Sequence, residues 1–222
     1  MALENKNFKE QFYLILTGIF IASLVASNLI FQKFFTWNFL GINFELSVGI
    51  IAYPVTFLVT DLISELYGQK RANQVVVSGF FASVFTTLLV LVSVNASAVQ
   101  WSPIDDMMFT KVFGLTGPAF FASMVAYLTA QLIDVRIFHF WKRLTKGKHL
   151  WLRNNASTIF SQLVDTSVIL IILCSAGVIE WERFYGLWMM GWLFKVLVAL
   201  IDTPIIYGII YLLKGKIDIA KE

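Results

Sequence analysis

Asp61, Asp134, Asp165 and Asp202 each lie inside, or at the end of, a long hydrophobic run. A carboxylate in a hydrocarbon layer costs several kcal/mol unless a partner or water reaches it. Four of them in one chain point to a polar cavity, a relay or a ligand site. Two occur in nearly the same phrase, Gln131-Leu132-Ile133-Asp134 and Gln162-Leu163-Val164-Asp165. Three residues apart on a helix, the Gln and Asp of each phrase share a face. Gln offers a donor and an acceptor, and Asp offers acceptors only. Such a pair can read a heterocycle edge that presents an amide and an exocyclic amine. The competing role is hydrogen bonding between helices, which polar residues in membranes commonly perform.

Other groups extend this set. Asn154, Thr158, Ser161 and Asp165 recur at helical spacing, with Asn155, Gln162 and Thr166 beside them. A stripe this wide must face other helices or water rather than lipid. Lys195 stands about eight residues into its apolar run, roughly 12 Å deep at 1.5 Å per residue. Too deep to snorkel easily, it requires a carboxylate, with Asp165 and Asp202 the candidates. Asp61 and Glu65, four residues apart, share a face and repel unless a proton or cation lies between them. Alternatively, Glu65 sits at the membrane boundary facing Lys70 and Arg71. Asp134, beside Arg136 and His139, reads as either a boundary ion pair or, with Glu65 and Arg136, part of a proton or charge relay. Asn28, deep in the first run, is either helix glue or a ligand contact. Pro204 removes a backbone donor next to Asp202.

The elements that carry these groups are membrane helices. The 222 residues are 58% hydrophobic and 14% charged, with a mean hydropathy of +0.75. Soluble domains carry about 25% charged residues. The apolar runs reach the roughly twenty residues that a spanning helix needs, not the alternating ten-residue segments of a barrel. The fold expected is an all-α integral membrane domain of six spans, near residues 12–31, 48–67, 73–94, 112–141, 155–178 and 187–213. The first run is too long for a signal-peptide core and reads as a retained span. An even number of spans places both termini on one side. Of 17 Lys and Arg, twelve fall in the loops on that side. Lys33, Lys111 and Arg183 fall opposite, and Arg136 and Lys195 fall within spans. This bias predicts cytoplasmic termini.

Between the first two spans, Phe35, Trp37 and Phe39 alternate, as do Ile42, Phe44 and Leu46. The pattern predicts a β-hairpin turning at Leu40-Gly41, either an interfacial aromatic segment or a lid over an outward-facing pocket. The segment 95–111 reads as a surface cap. The single Cys174 excludes an internal disulfide and a cysteine-based metal site. There is no His-Glu-x-x-His signature and no Gly-Lys-Ser/Thr phosphate loop, nor a Gly-x-Ser-x-Gly elbow. No cofactor is expected, and the net charge of +3 is no argument for nucleic acid. An intramembrane aspartyl hydrolase would need two of the carboxylates at short range, and the glycine-flanked Asp phrase expected of one is absent.

The stretch from Tyr53-Pro54-Val55-Thr56 through Thr60-Asp61 to Glu65-Leu66-Tyr67-Gly68 resembles the signature of the queuosine precursor transporter family, also called the YhhQ or vitamin uptake transporter family. Three further segments agree in order: Gln131 to Phe138, Trp151 to Thr158 continuing to Asp165-Thr166, and Phe194-Lys195-Val196-Leu197. The resemblance reaches from the second span to the sixth. It implies a six-helix inner-membrane importer of 7-deazaguanines such as preQ0, preQ1 or queuine. It also suggests kinship with the substrate-capturing subunits of energy-coupling-factor transporters. Asn28, Asp61, Gln131, Asn155, Gln162, Asp165, Lys195 and Asp202 are then the expected substrate contacts, with Phe57, Tyr127 or Trp192 stacking on the ring. A homodimer and a separate energising subunit both remain compatible with the chain.

Overall fold

Runs of twenty apolar residues in lipid have no water to satisfy their backbone, so they close their hydrogen bonds internally as helices. A computed structural model describes residues 2–39, 41–114 and 117–213. It contains helix α1 (Ala2–Ile30), strands β1 (Phe34–Phe39) and β2 (Ile42–Ser47), and helices α2 (Tyr53–Tyr67), α3 (Gln69–Val94), α4 (Asp106–Phe113), α5 (Gly117–Leu144), α6 (Leu150–Ser175) and α7 (Trp181–Leu213). Six of the helices are long and apolar enough to span a membrane. The protein is an all-α, six-span membrane protein with one hairpin.

The fourth span differs from expectation. It does not begin at Val112, because Asp105 caps a separate short helix by accepting from Met108 N at 2.7 Å. Helix α4 carries no buried residue, and the span proper is Phe120–Leu144. The segment before α4 is the expected surface cap, with Trp101 84% exposed. Helix α7 has 33 residues, about 50 Å of helix against a hydrocarbon core of about 30 Å. It runs unbroken through Pro204.

The burial pattern is the reverse of a soluble protein's. Ile15, Phe81, Phe85, Leu88 and Tyr211 lie exposed on the outside, while Asp61, Gln131, Asp134, Arg153 and Ser161 are buried within. The apolar core joins α1, α2, α3 and α5 through Phe20, Leu24, Leu62, Ile63, Val76 and Tyr127. Gly79 permits that junction. A Cβ there would sit 2.6 Å from a Phe20 ring carbon and 2.8 Å from the Tyr127 hydroxyl. Cys174 is buried and unpaired in α6.

The hairpin forms in the expected register, from Phe34 opposite Ser47 to Phe39 opposite Ile42. Gly41 supplies the turn's left-handed residue at φ +79°, and Leu40 lies outside the described residues. Phe44 and Leu46 face inward and are buried. Phe194 of α7 packs against Trp37 and Phe44, with ring centres at 5.6 and 6.3 Å.

Candidate functional site

Nearest the hairpin, three helices meet at Asp165. Tyr53, the first residue of α2, donates its hydroxyl to Asp165 Oδ1 at 2.8 Å. Lys195 of α7 places Nζ 2.5 Å from Asp165 Oδ2 and 3.1 Å from Thr166 Oγ1. It also lies 5.4 Å from the centre of the Tyr53 ring. The two ionised side chains are only 11% and 6% exposed, so each neutralises a charge that the bilayer interior would otherwise reject. Of the two carboxylates open to Lys195, Asp165 is the one it meets. Phe57 stands edge-on to Tyr53 with ring centres 5.6 Å apart.

One turn further along α2, Gln131 of α5 is fully buried. Its Nε2 donates to Thr56 Oγ1 at 3.0 Å, and its Oε1 accepts from Thr60 at 3.2 Å. Below it, the Asp61 and Asp134 carboxyls lie side by side against one face of α6. Helix α6 supplies one hydroxyl to each: Thr158 donates to Asp61 Oδ2 at 3.2 Å, and Ser161 donates to Asp134 Oδ1 at 2.9 Å. Asp61 Oδ1 and Asp134 Oδ2 are buried without a donor. Two unit charges about 4 Å apart repel by roughly 4 kcal/mol at an effective dielectric of about 20, so neighbouring buried carboxylates resist joint ionisation. Asp202 of α7 is only 9% exposed, and among the described residues no hydrogen bond or ion pair reaches it.

Near the ends of α2 and α5, Glu65 Oε1 meets Arg153 Nη2 at 2.7 Å, and its Oε2 meets Lys142 Nζ at 3.4 Å. Arg153 also donates to the carbonyls of Gly147 and Lys148 at 3.0 and 3.1 Å. These bonds clip the turn in which Lys146, Gly147 and His149 all adopt positive φ. The partners of Glu65 are thus Arg153 and Lys142, not Lys70 and Arg71. Arg71 instead pairs with Glu10.

The structure brings Asp61, Gln131, Asp134, Asp165 and Lys195 into one polar column along α2 and α6. It sets other expected residues aside. Asp134 is fully buried and accepts from Ser161, and among the described residues no ion pair joins it to Arg136. Arg136 is exposed on the opposite face of α5. Asn28 accepts from Ser123 at 2.8 Å, tying α1 to α5. Asn155 donates to Thr203 Oγ1 at 2.7 Å, and Asn154 donates to the same oxygen at 3.3 Å. Gln162 is buried with Oε1 unpaired. Tyr127 is turned away, its hydroxyl on the Val76 carbonyl at 2.6 Å, and Trp192 donates to the Ile159 carbonyl at 3.1 Å.

Two members of the column were not anticipated from sequence. Tyr53 stands inside the signature stretch, yet an aromatic residue at a helix start reads as an interfacial anchor. Arg153 reads as a loop charge. Its signal was spacing, since Arg153, Ser157 and Ser161 recur every four residues on one face. Above the column, a cavity of about 980 Å³ lies between the hairpin and the α6–α7 turn. Phe35, Thr36 and Glu45 line one wall, and Glu180, Arg183 and Met190 line the other.

Comparison with known proteins places this architecture. The family model described as "Putative vitamin uptake transporter" matches residues 47–209, from the last strand to the final helix. A probable queuosine precursor transporter of Bacillus subtilis (strain 168) is 28% identical over 167 residues, covering 73% of this chain and 70% of the relative. The queuosine precursor transporter of Escherichia coli (strain K12) is 25% identical over 211 residues, covering 93% of this chain and 89% of the relative. No solved structure matches the chain.

Proposed function

The chain belongs to the putative vitamin uptake transporter family, and we propose that it imports a queuosine precursor, a 7-deazaguanine, through the inner membrane with both termini in the cytoplasm. The observation that carries this reading is the Tyr53–Asp165–Lys195 cluster at the head of a buried polar column. It occurs in a chain similar over most of its length to transporters named for that substrate. Family membership argues for a transporter rather than an enzyme. Asp61 and Asp134 lie near each other, as an aspartyl hydrolase would require, but each already accepts an α6 hydroxyl and the glycine-flanked Asp phrase is absent.

The chemistry fits the site. A deazaguanine presents a ring N–H and an exocyclic amine on one edge, and a carboxylate accepts such a pair of donors in parallel. Its carbonyl needs a donor, which an ammonium supplies. In this structure Asp165 uses its two oxygens on Tyr53 and Lys195, so the bound ring exchanges those partners for its own. Phe57, one of the three expected stacking residues, stands edge-on to Tyr53 beside that position. Glu45 puts a carboxylate on the hairpin wall of the outer cavity, suited to a protonated aminomethyl group such as that of preQ1, while Glu180 on the opposite wall is paired with Arg183. The test is uptake of labelled preQ0, preQ1 and queuine into cells that lack their own importer, with tRNA queuosine as a second readout. Uptake no greater than that of Asp165→Ala and Lys195→Ala variants overturns the reading. Binding by the purified protein without transport in vesicles assigns it to a subunit that requires an energising partner.

A further inference from the structure

Asp61 and Asp134 form a second buried site, beyond Gln131 from the Tyr53–Asp165–Lys195 cluster. Each carboxyl has one oxygen fixed by an α6 hydroxyl, Thr158 on Asp61 and Ser161 on Asp134. The remaining oxygens, Asp61 Oδ1 and Asp134 Oδ2, are buried and receive no donor from the protein. The residues are 2% and 0% exposed, and because Thr158 and Ser161 share one face of α6, the two carboxyls they hold lie side by side. Carboxylates accept and do not donate, so a contact between two of them is attractive only when one carries a proton. A separate observation points the same way. Asp202, on a different helix, is only 9% exposed and lacks a hydrogen-bond or ion-pair partner among the described residues.

We propose that Asp61 and Asp134 share one exchangeable proton and form the coupling site through which a proton gradient drives substrate uptake. The inference rests on the transport reading above. The only bond made and broken is O–H: the pair takes a proton from the side of higher proton activity and releases it to the other. The pair lies between two charge clusters without joining either. Toward the hairpin, Asp165 of α6 is neutralised by Lys195 of α7, and Tyr53 of α2 is bonded to Asp165. Toward the termini, Glu65 of α2 is held by Arg153 of α6 and Lys142 of α5, with His139 of α5 buried nearby. Among the described residues, neither member of the pair has a cation within ion-pair distance. A single proton is therefore the least charge that reconciles the contact.

The test uses the full-length protein in proteoliposomes, with labelled preQ0 chosen because it lacks an amine and carries no charge. At clamped zero potential, one proton per preQ0 gives about tenfold accumulation across a one-unit inward proton gradient. The expected result is that accumulation by the native protein, with Asp134→Asn still binding and exchanging preQ0 but not accumulating it. An uncoupler should abolish the effect in the native protein. Accumulation independent of the proton gradient, or driven by sodium alone, overturns the proposal, as does native-like accumulation by Asp134→Asn. Should that variant fail to fold, the native protein serves alone: preQ0 binding in weakly buffered detergent must change bulk pH, and no change overturns the proposal. Absence of any preQ0, preQ1 or queuine binding by the native protein overturns the transport reading instead, and the coupling proposal falls with it.

Discussion

Replacing Lys195 with Met isolates the Asp165–Lys195 pair, because Met keeps most of the side-chain volume and removes only the ammonium. In the native protein Nζ lies 2.5 Å from Asp165 Oδ2, with the two side chains 11% and 6% exposed. Removing one partner of a buried ion pair costs about 3–5 kcal/mol, because a charge is left uncompensated. Tyr53 still donates to Asp165 Oδ1, which places the expected loss near the lower bound, about 3 kcal/mol. In a chain of this length each kcal/mol moves the melting midpoint by roughly 2–4 °C, so the drop is about 6–12 °C. Cys174 offers a convenient assay. It is the only cysteine and is buried, so a thiol-reactive dye reports unfolding of detergent-purified protein. The double variant Asp165→Asn/Lys195→Met removes both charges and should recover about 2 kcal/mol of the loss, a coupling typical of contacting residues. Uptake should stay abolished in the single and double variants alike, because the substrate's partners are gone. A double variant that melts at the sum of the two single losses refutes the pairing. So does a Lys195→Met midpoint within 2 °C of native, on the scale used above.

Three further predictions concern the frame around the site. Glu65→Gln leaves Arg153 and Lys142 buried without a counter-charge and should cost about 3 kcal/mol, with Glu65→Gln/Lys142→Met partly restoring the midpoint; equal midpoints for the two would contradict the shared-carboxylate geometry. Gly79→Val drives a side chain into Phe20 and the Tyr127 hydroxyl, an overpacking cost of about 1–3 kcal/mol. Unchanged thermal stability would show that α1, α3 and α5 do not meet there. Phe194→Ala removes the ring on which Trp37 and Phe44 rest. Protease cleavage within the hairpin should accelerate severalfold while the helices stay protected, and an unaltered digestion rate would count against that anchorage.

Much of the fold was legible because it follows from the bilayer as solvent. Apolar length marked the six helices, and alternation about Gly41 marked the hairpin and its register. The break before α5 was not legible. Asp106 to Phe113 is amphipathic and short, and hydropathy alone merges Val112 with the span that follows. Within the site, Lys195 announced itself by depth, and Asp202, seven residues on along the same helix, is about 10 Å away at 1.5 Å per residue, so its partner had to come from a packed neighbour, which is Asp165 of α6. Asp134 misled for a related reason. Its neighbours in sequence are Arg136 and His139, but a rotation of 200° along the helix puts Arg136 on the opposite face. Spacing therefore assigned Asp134 to the wrong partner, while the contact with Asp61 is set by the packing of α2 on α5. Arg153 was read with the loop charges for the same reason that Lys142 was: both lie at helix ends in sequence, and only the packing of three helices buries them around Glu65.

The helices divide the labour of the column unequally. Helices α2 and α6 contribute to every level: Tyr53, Asp61 and Glu65 from one, Asp165, Thr158 and Arg153 from the other. Lys195 is the sole contribution of α7 at the hairpin level, whereas α5 supplies Gln131, Asp134 and Lys142 at the levels beyond. Thr203 of α7 is pinned by Asn154 and Asn155 of α6. The next residue, Pro204, lacks the N–H that would bond the Leu200 carbonyl. A bend of α7 there would change the Lys195–Asp165 contact and leave the Glu65 network untouched, because α7 supplies none of its members. Helix α5 cannot part from that network as easily, since it packs on α6 more extensively than any other two elements pack on each other.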